Sequence, residues 1–229
     1  MKILISISCF LSLTVLSYAQ SRINRQLATF DKVIVAGDIK LELTQCGKED
    51  ATIVAKEVSA DEVTTEITGR TLKIKLNAYK FANKGEATVY LNYDKIREIS
   101  VEAGAEANFR TLIKTDYFKA EVSGGGNLGC EVDVNALELR ATQTATLNVR
   151  GQAASFEAVA NTGGDVKAKD LVCEDAVVKA HTGGSIAISV SRSIDATAGT
   201  GGKVVYKGND LLKESTTNSM GGTISKERF

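Results

Sequence analysis

The side chains that chemistry needs are present in this chain, but they are scattered. His181 is the only histidine. A nucleophilic triad would set it beside a hydroxyl or thiol and an acid; Thr162 and Thr182 fall near it in the repeat described below, yet no carboxylate shares its column. It reads as a polar corner residue. Paired acids for glycoside cleavage would be Glu157 with Glu138, or Asp165 with Glu174 and Asp175. Both sets fall at outward positions without an aromatic flank to hold a sugar, so they read as surface charge. Glu57, Asp61 and Glu62 crowd the Ser59-Ala60 break with no histidine nearby, and read as a solvated turn. Lys203 follows Gly201-Gly202, but the G-x-x-x-x-G-K-[ST] spacing of a phosphate loop is missing. Gly163-Gly164-Asp165 shares its composition with calcium-binding β-roll repeats, but those need G-G-x-G-x-D at nine-residue intervals, and here the aspartate is not repeated. The sequence therefore assigns no catalytic, cofactor-binding or metal-binding residue.

Residues 1–19 read as a signal peptide: Lys2 is the positive start, Ile3 to Leu16 is apolar, and Ser17-Tyr18-Ala19 is a small-x-small cleavage site. The run is shorter than the ~20 residues of a membrane span. Cys9 lies inside the apolar run rather than at its end, which argues against lipidation. Cleavage would leave Gln20 to Phe229, with one basic side chain fewer than acidic and a formal charge of −1. That balance, and the absence of Trp, argue against a nucleic-acid or anionic-membrane footprint. Three cysteines would remain, Cys46, Cys130 and Cys173, an odd number at wide spacing with no C-x-x-C. They read as small core fillers, and the sequence does not say whether any two of them pair.

The elements that position these side chains are set by a repeat. Six-residue stretches such as Ser123-Gly124-Gly125-Gly126-Asn127-Leu128, Asn161-Thr162-Gly163-Gly164-Asp165-Val166 and His181-Thr182-Gly183-Gly184-Ser185-Ile186 recur along the second half of the chain. Taking Ala107, Gly126, Ala145, Gly164, Gly184, Gly202 and Gly222 as anchors gives steps of 19, 19, 19, 20, 18 and 20 residues, a solenoid period. Eight, six and four residues before each anchor, and two after, apolar side chains alternate with polar ones, so each coil carries a half-buried strand on either side of a Gly corner. Glycine suits the corner because it reaches φ > 0. The Thr142 to Leu147 coil lacks the glycines, which predicts a wider or strained corner there. Residues 20–98 read as a β-rich section of about five or six strands between Phe30 and Leu91, and residues 99–229 as the repeats, with 30–224 forming one continuous domain. Lys226, Glu227 and Arg228 are the expected charged cap on the last coil.

With its leader, its Phe30-Asp31-Lys32-Val33 opening and these Gly-Gly corners, the chain resembles the auto-transporter adhesin head GIN domain family, secreted proteins common in Bacteroidetes. The resemblance covers roughly Phe30 to Ile224. It implies a right-handed parallel β-helix, a solenoid of about 19-residue coils, in a cell-envelope setting, with no catalytic residues. The expectation is an exported, non-enzymatic, adhesin-like binding or structural module in the periplasm, on the outer-membrane surface or outside the cell. Its partner would be an envelope protein or a glycan, with no nucleic acid, no membrane span in the mature chain, and exposed edges compatible with a homo-oligomer. The alternative is a β-helical carbohydrate-active enzyme acting through Glu138, Glu157 or Asp165.

Overall fold

The computed structural model describes residues 21–56, 59–76 and 86–227. The leader Met1–Ala19, Glu57 of the acidic group, the Lys84-Gly85 break and Arg228 of the expected cap lie outside the described residues. Strands make up 73% of the described residues, arranged as a β-solenoid of about 6 turns with coils about 20 residues apart. The N-terminal section holds β1 (Ser21–Gln26), β2 (Lys32–Ala36), β3 (Ile39–Gln45), β4 (Asp50–Lys56), β5 (Val63–Thr68), β6 (Thr71–Leu76) and β7 (Glu86–Tyr93). Then come β8 (Glu98–Glu102), β9 (Glu106–Phe109), β10 (Ile113–Val122), β11 (Asn127–Thr142), β12 (Thr146–Asn161), β13 (Asp165–His181) and β14 (Ser185–Gly199). The chain closes with β15 (Lys203–Lys207), β16 (Lys213–Asn218) and β17 (Thr223–Glu227).

From β11 onward each long strand leaves one corner, bends, and runs into the next. Parallel pairing stacks Phe118, Leu137, Phe156, Ala176 and Ile194 in one column, and Leu128, Leu147, Val166, Ile186 and Val204 in another. All ten are buried. Ring packing reinforces the first coils: Phe109 meets Phe118 edge-on at 5.7 Å and Tyr93 meets Phe109 edge-on at 6.0 Å. Each such pair contributes roughly 0.5–1.5 kcal/mol beyond its buried area.

The corners are four-residue turns in which the N–H of the last residue donates to the carbonyl of the first, as in Gly164 to Asn161 (3.0 Å) and Gly184 to His181 (2.9 Å). Both central residues have positive φ, +49° at Thr162 and +74° at Gly163, which defines a type I′ turn. Successive turns are laced together, Gly163 N–H to the Thr182 carbonyl and Gly183 N–H to that of Thr200, each 3.1 Å. The anchor glycine has a different task. A Cβ on Gly164 would lie 2.1 Å from the carbonyl oxygen of Ala141 in the coil below, and one on Gly202 2.1 Å from that of Ala180. At these two anchors close approach of backbone, not φ, therefore demands glycine. The corner without glycines is strained rather than wider, with Gln143 at +55° and Thr144 at +60°.

The first coil corrects the predicted register. Leu128 pairs with Ala107 and Asn127 with Glu106, so Ala105, not Ala107, stands beside Gly126, and Ile99 stands beside Ala120 rather than Phe118. A slip of two leaves every side chain on its face, which is why alternation alone did not detect it. The β-rich section also proves to build coils of its own. β2 and β3 meet at Gly37-Asp38 and stack in parallel on β8 and β9 on one side and on β6 and β7 on the other, out of chain order. Antiparallel strands close that end: β4 on β7, β1 on β4, and β5 on β6. Between Phe30 and Leu91 the six strands are those expected; β1 precedes them.

At the other end β16 places Glu214, Thr216 and Asn218 in the columns of Ile194, Ala196 and Ala198. Glu214 accepts a hydrogen bond from Tyr206 (2.9 Å) and pairs with Lys226 (2.7 Å). Polar side chains thus close the core where the apolar columns stop. Cys130 and Cys173 are buried core fillers as read, but Cys46 is exposed; all three are free thiols. Among the described residues no helix is long and apolar enough to cross a membrane.

Candidate ligand-binding groove

The candidate acids are not assembled into a reactive site. Glu138 and Glu157 are neighbours in register, on an outward face. Glu138 accepts from Tyr117 (2.8 Å) and pairs with Lys119 (3.3 Å). The Tyr117 hydrogen bond, with help from Lys119, holds the Glu138 carboxyl below its ordinary range. Asp175 is gripped by Arg192 and accepts from Ser193 (2.6 Å), which also lowers its carboxyl. A general acid needs the opposite shift. Glu174 pairs with Arg192 as well (2.9 Å), whereas Asp165 pairs with Lys167 (3.6 Å). His181 lies against Gly199, where a Cβ would meet its Nδ1 at 2.9 Å. Asp61 and Glu62 belong to a short 3-10 turn capped by Ser59. Among the described residues no three His, Cys, Asp or Glu side chains converge on a point where a metal ion could sit.

What the fold does build is a groove of about 1000 Å³ along the face that follows each corner. It runs from β3 across β9, β11, β12, β13, β14 and β15 to β17. Register explains its floor: Gly129, Asn148, Lys167, Ala187 and Val205 succeed one another in one outward column. Gly129, Ala187 and Val205 keep the column low, and Asn148 and Lys167 rise between them. At Gly129 even a methyl would meet Asn108 Oδ1 at 2.7 Å.

Charge is arranged in pairs along this face. At one end Glu42 is 3% exposed although it points outward, and Arg110 Nε lies 2.5 Å from its Oε2 with Lys40 at 4.0 Å. Farther on, Arg150 pairs with Glu131 (2.8 Å). At the other end Lys169 Nζ reaches both carboxylate oxygens of Glu227, at 3.0 and 3.1 Å. That hydrogen bond, with Lys207 and Lys203 adding positive charge, holds the Glu227 carboxyl below its usual range. Sequence reasoning missed Glu42. Its neighbours Leu41 and Leu43 face the core and so predict an exposed Glu42, and nothing in the pattern announces a contact 68 positions away at Arg110.

A family model described as "Putative auto-transporter adhesin, head GIN domain" matches residues 29–209. No curated protein matches the chain. Among solved structures, one described as a putative adhesin from Bacteroides fragilis has a TM-score of 0.84 at 19% identity, over 92% of this chain and 98% of that one. Another putative adhesin, from Parabacteroides merdae, has a TM-score of 0.70 at 18% identity, over 92% and 97%. A putative lipid binding protein from Parabacteroides distasonis has a TM-score of 0.60 at 17% identity, over 90% and 97%. At these identities the likeness is one of fold.

Proposed function

We propose, from the premise that this chain belongs to the auto-transporter adhesin head GIN domain family, that it is an exported, non-enzymatic binding module of the cell envelope. The groove is the observation that carries the reading: a continuous trough of about 1000 Å³ crossing the stacked coils, its floor mixing short side chains with Asn148 and Lys167 and its edges charged. A trough open along its length suits an extended polymer better than a compact metabolite, which calls for an enclosed, mostly apolar pocket. The family description supports adhesion in the same coarse sense. A lipid would prefer a floor free of Asn148 and Lys167.

Retention on immobilised envelope polysaccharide and on immobilised envelope proteins tests this, using wild type and Ala187→Trp, which plugs the C-terminal half of the floor. Wild type is expected to be retained on one of the two and the variant to pass through. Equal retention of both proteins, or passage of both, overturns the groove reading. Val177→Trp, at an exposed position outside the groove, is the matched control. Export rests on the leader; protease digestion on intact and lysed cells checks it. Digestion of intact cells would set the module outside, and digestion once the outer membrane alone is opened would put it in the periplasm. Digestion that needs spheroplast rupture would contradict export.

A further inference from the structure

We propose that the C-terminal half of the groove is a subsite for the carboxylates of an acidic polysaccharide, and that Glu227 occupies it while no ligand is bound. The inference rests on the groove-binding reading above and adds the class of ligand. Lys169 and Glu227 are separated by the coils of Ser189 and Lys207: Ser189 Oγ donates to the Lys169 carbonyl (2.7 Å), Ser189 pairs in register with Lys207, and Lys207 with Glu227. Three strand spacings put the two backbones on the order of 14 Å apart. Both side chains are therefore extended along the groove toward each other, in the stretch that Ala187 and Val205 floor.

The charge count there is uneven. Elsewhere along the groove Glu42, Glu131 and Asp165 each have their own cation. Lys203 and Lys207 make no ion pair among the described residues, so three ammonium groups, of Lys169, Lys203 and Lys207, stand against two carboxylates, Glu227 and the groove-lining Asp170. The occupant is also loosely held. Among the described residues β17 pairs only with β15 and has no strand on its other side, so displacing its end costs little.

A saccharide fits this surface better than an acidic peptide. Extended peptides bind sheets by adding to an edge, where free N–H and C=O groups offer main-chain hydrogen bonds. This groove lies on a sheet face whose backbone groups are spent in the ladders. It offers side-chain amides and ammonium groups over a shallow floor, donors that match hydroxyls and carboxylates.

Calorimetric titration of the full chain with an oligogalacturonide, a neutral oligogalactoside and an oligoglutamate tests the proposal in wild type, Glu227→Gln and the triple variant Lys169→Ala, Lys203→Ala, Lys207→Ala. The oligogalacturonide is expected to bind, about tenfold more tightly to Glu227→Gln and at least tenfold more weakly to the triple variant. That affinity should fall with added salt. Equal binding of acidic and neutral saccharides, unmoved by Glu227→Gln, overturns the carboxylate subsite while leaving groove binding intact. Binding of oligoglutamate alone overturns the saccharide class. Silence of all three ligands on both wild type and Glu227→Gln also overturns the proposal, and the Ala187→Trp retention assay then judges the groove reading separately.

Discussion

A methyl on Gly164 would collide with the Ala141 carbonyl at 2.1 Å, whereas Thr144 already tolerates a φ of +60° that β-branched residues avoid. Opposite effects follow at two neighbouring corners. Gly164→Ala is expected to cost on the order of 3 kcal/mol in urea unfolding. Thr144→Gly should gain up to about 1 kcal/mol by relieving the left-handed strain. Loss of stability in Thr144→Gly would contradict the turn assignment. Thiols give a second residue-scale test: Cys46 is expected to react in the native protein while buried Cys130 and Cys173 wait for unfolding. Burial pushes both buried thiols up to about 12, and Tyr206 likewise. These groups hold their protons more tightly folded than unfolded, so the stability they contribute is complete below about pH 9 and is lost as the pH climbs toward 12. A flat melting temperature across that range would contradict it. At this scale the paired glycines were legible in the sequence from their recurrence, although only the first of each pair serves the turn and the second serves the close approach of the coil below. The pair between buried Glu42 and exposed Arg110 was not, because alternation reports which face a side chain takes and says nothing of what folds over it.

The element that most constrains the fold is the coil, and its apolar columns carry the stability. Phe118 is fully buried between coils and packs edge-on against Phe109, so Phe118→Ala is expected to cost about 3–5 kcal/mol in the same unfolding measurement. A cost below 1 kcal/mol would contradict the columns. Column membership from β10 onward was readable from the spacing, since each coil repeats the same alternation. The first coil was read two residues out, with Ala107 in the place of Ala105, because a two-residue slip preserves inward and outward faces. Only the ladder partners distinguish the two registers.

At the scale of the whole molecule the solenoid has two unlike ends. Antiparallel β1, β4 and β5 close the first, and the polar β16 closes the second. Restoring the apolar columns there with Glu214→Ile, Thr216→Ala and Asn218→Ala should make the protein associate with rising concentration in sedimentation, as capping repeats normally prevent. Unchanged sedimentation would contradict the cap. The order in which β6 and β7, β2 and β3, and β8 and β9 stack was hidden from the sequence, since periodicity identifies strands but does not say which coil lies on which. The groove was hidden for the same reason: it exists only once outward positions from eight strands are aligned. The most direct test of that groove is lysine acetylation read by mass spectrometry, with and without saturating envelope polysaccharide. Protection of Lys167, Lys169 and Lys203, with Lys119 and Lys179 unchanged, is the result expected. Protection of Lys119 and Lys179 instead would put the binding face elsewhere and contradict the account.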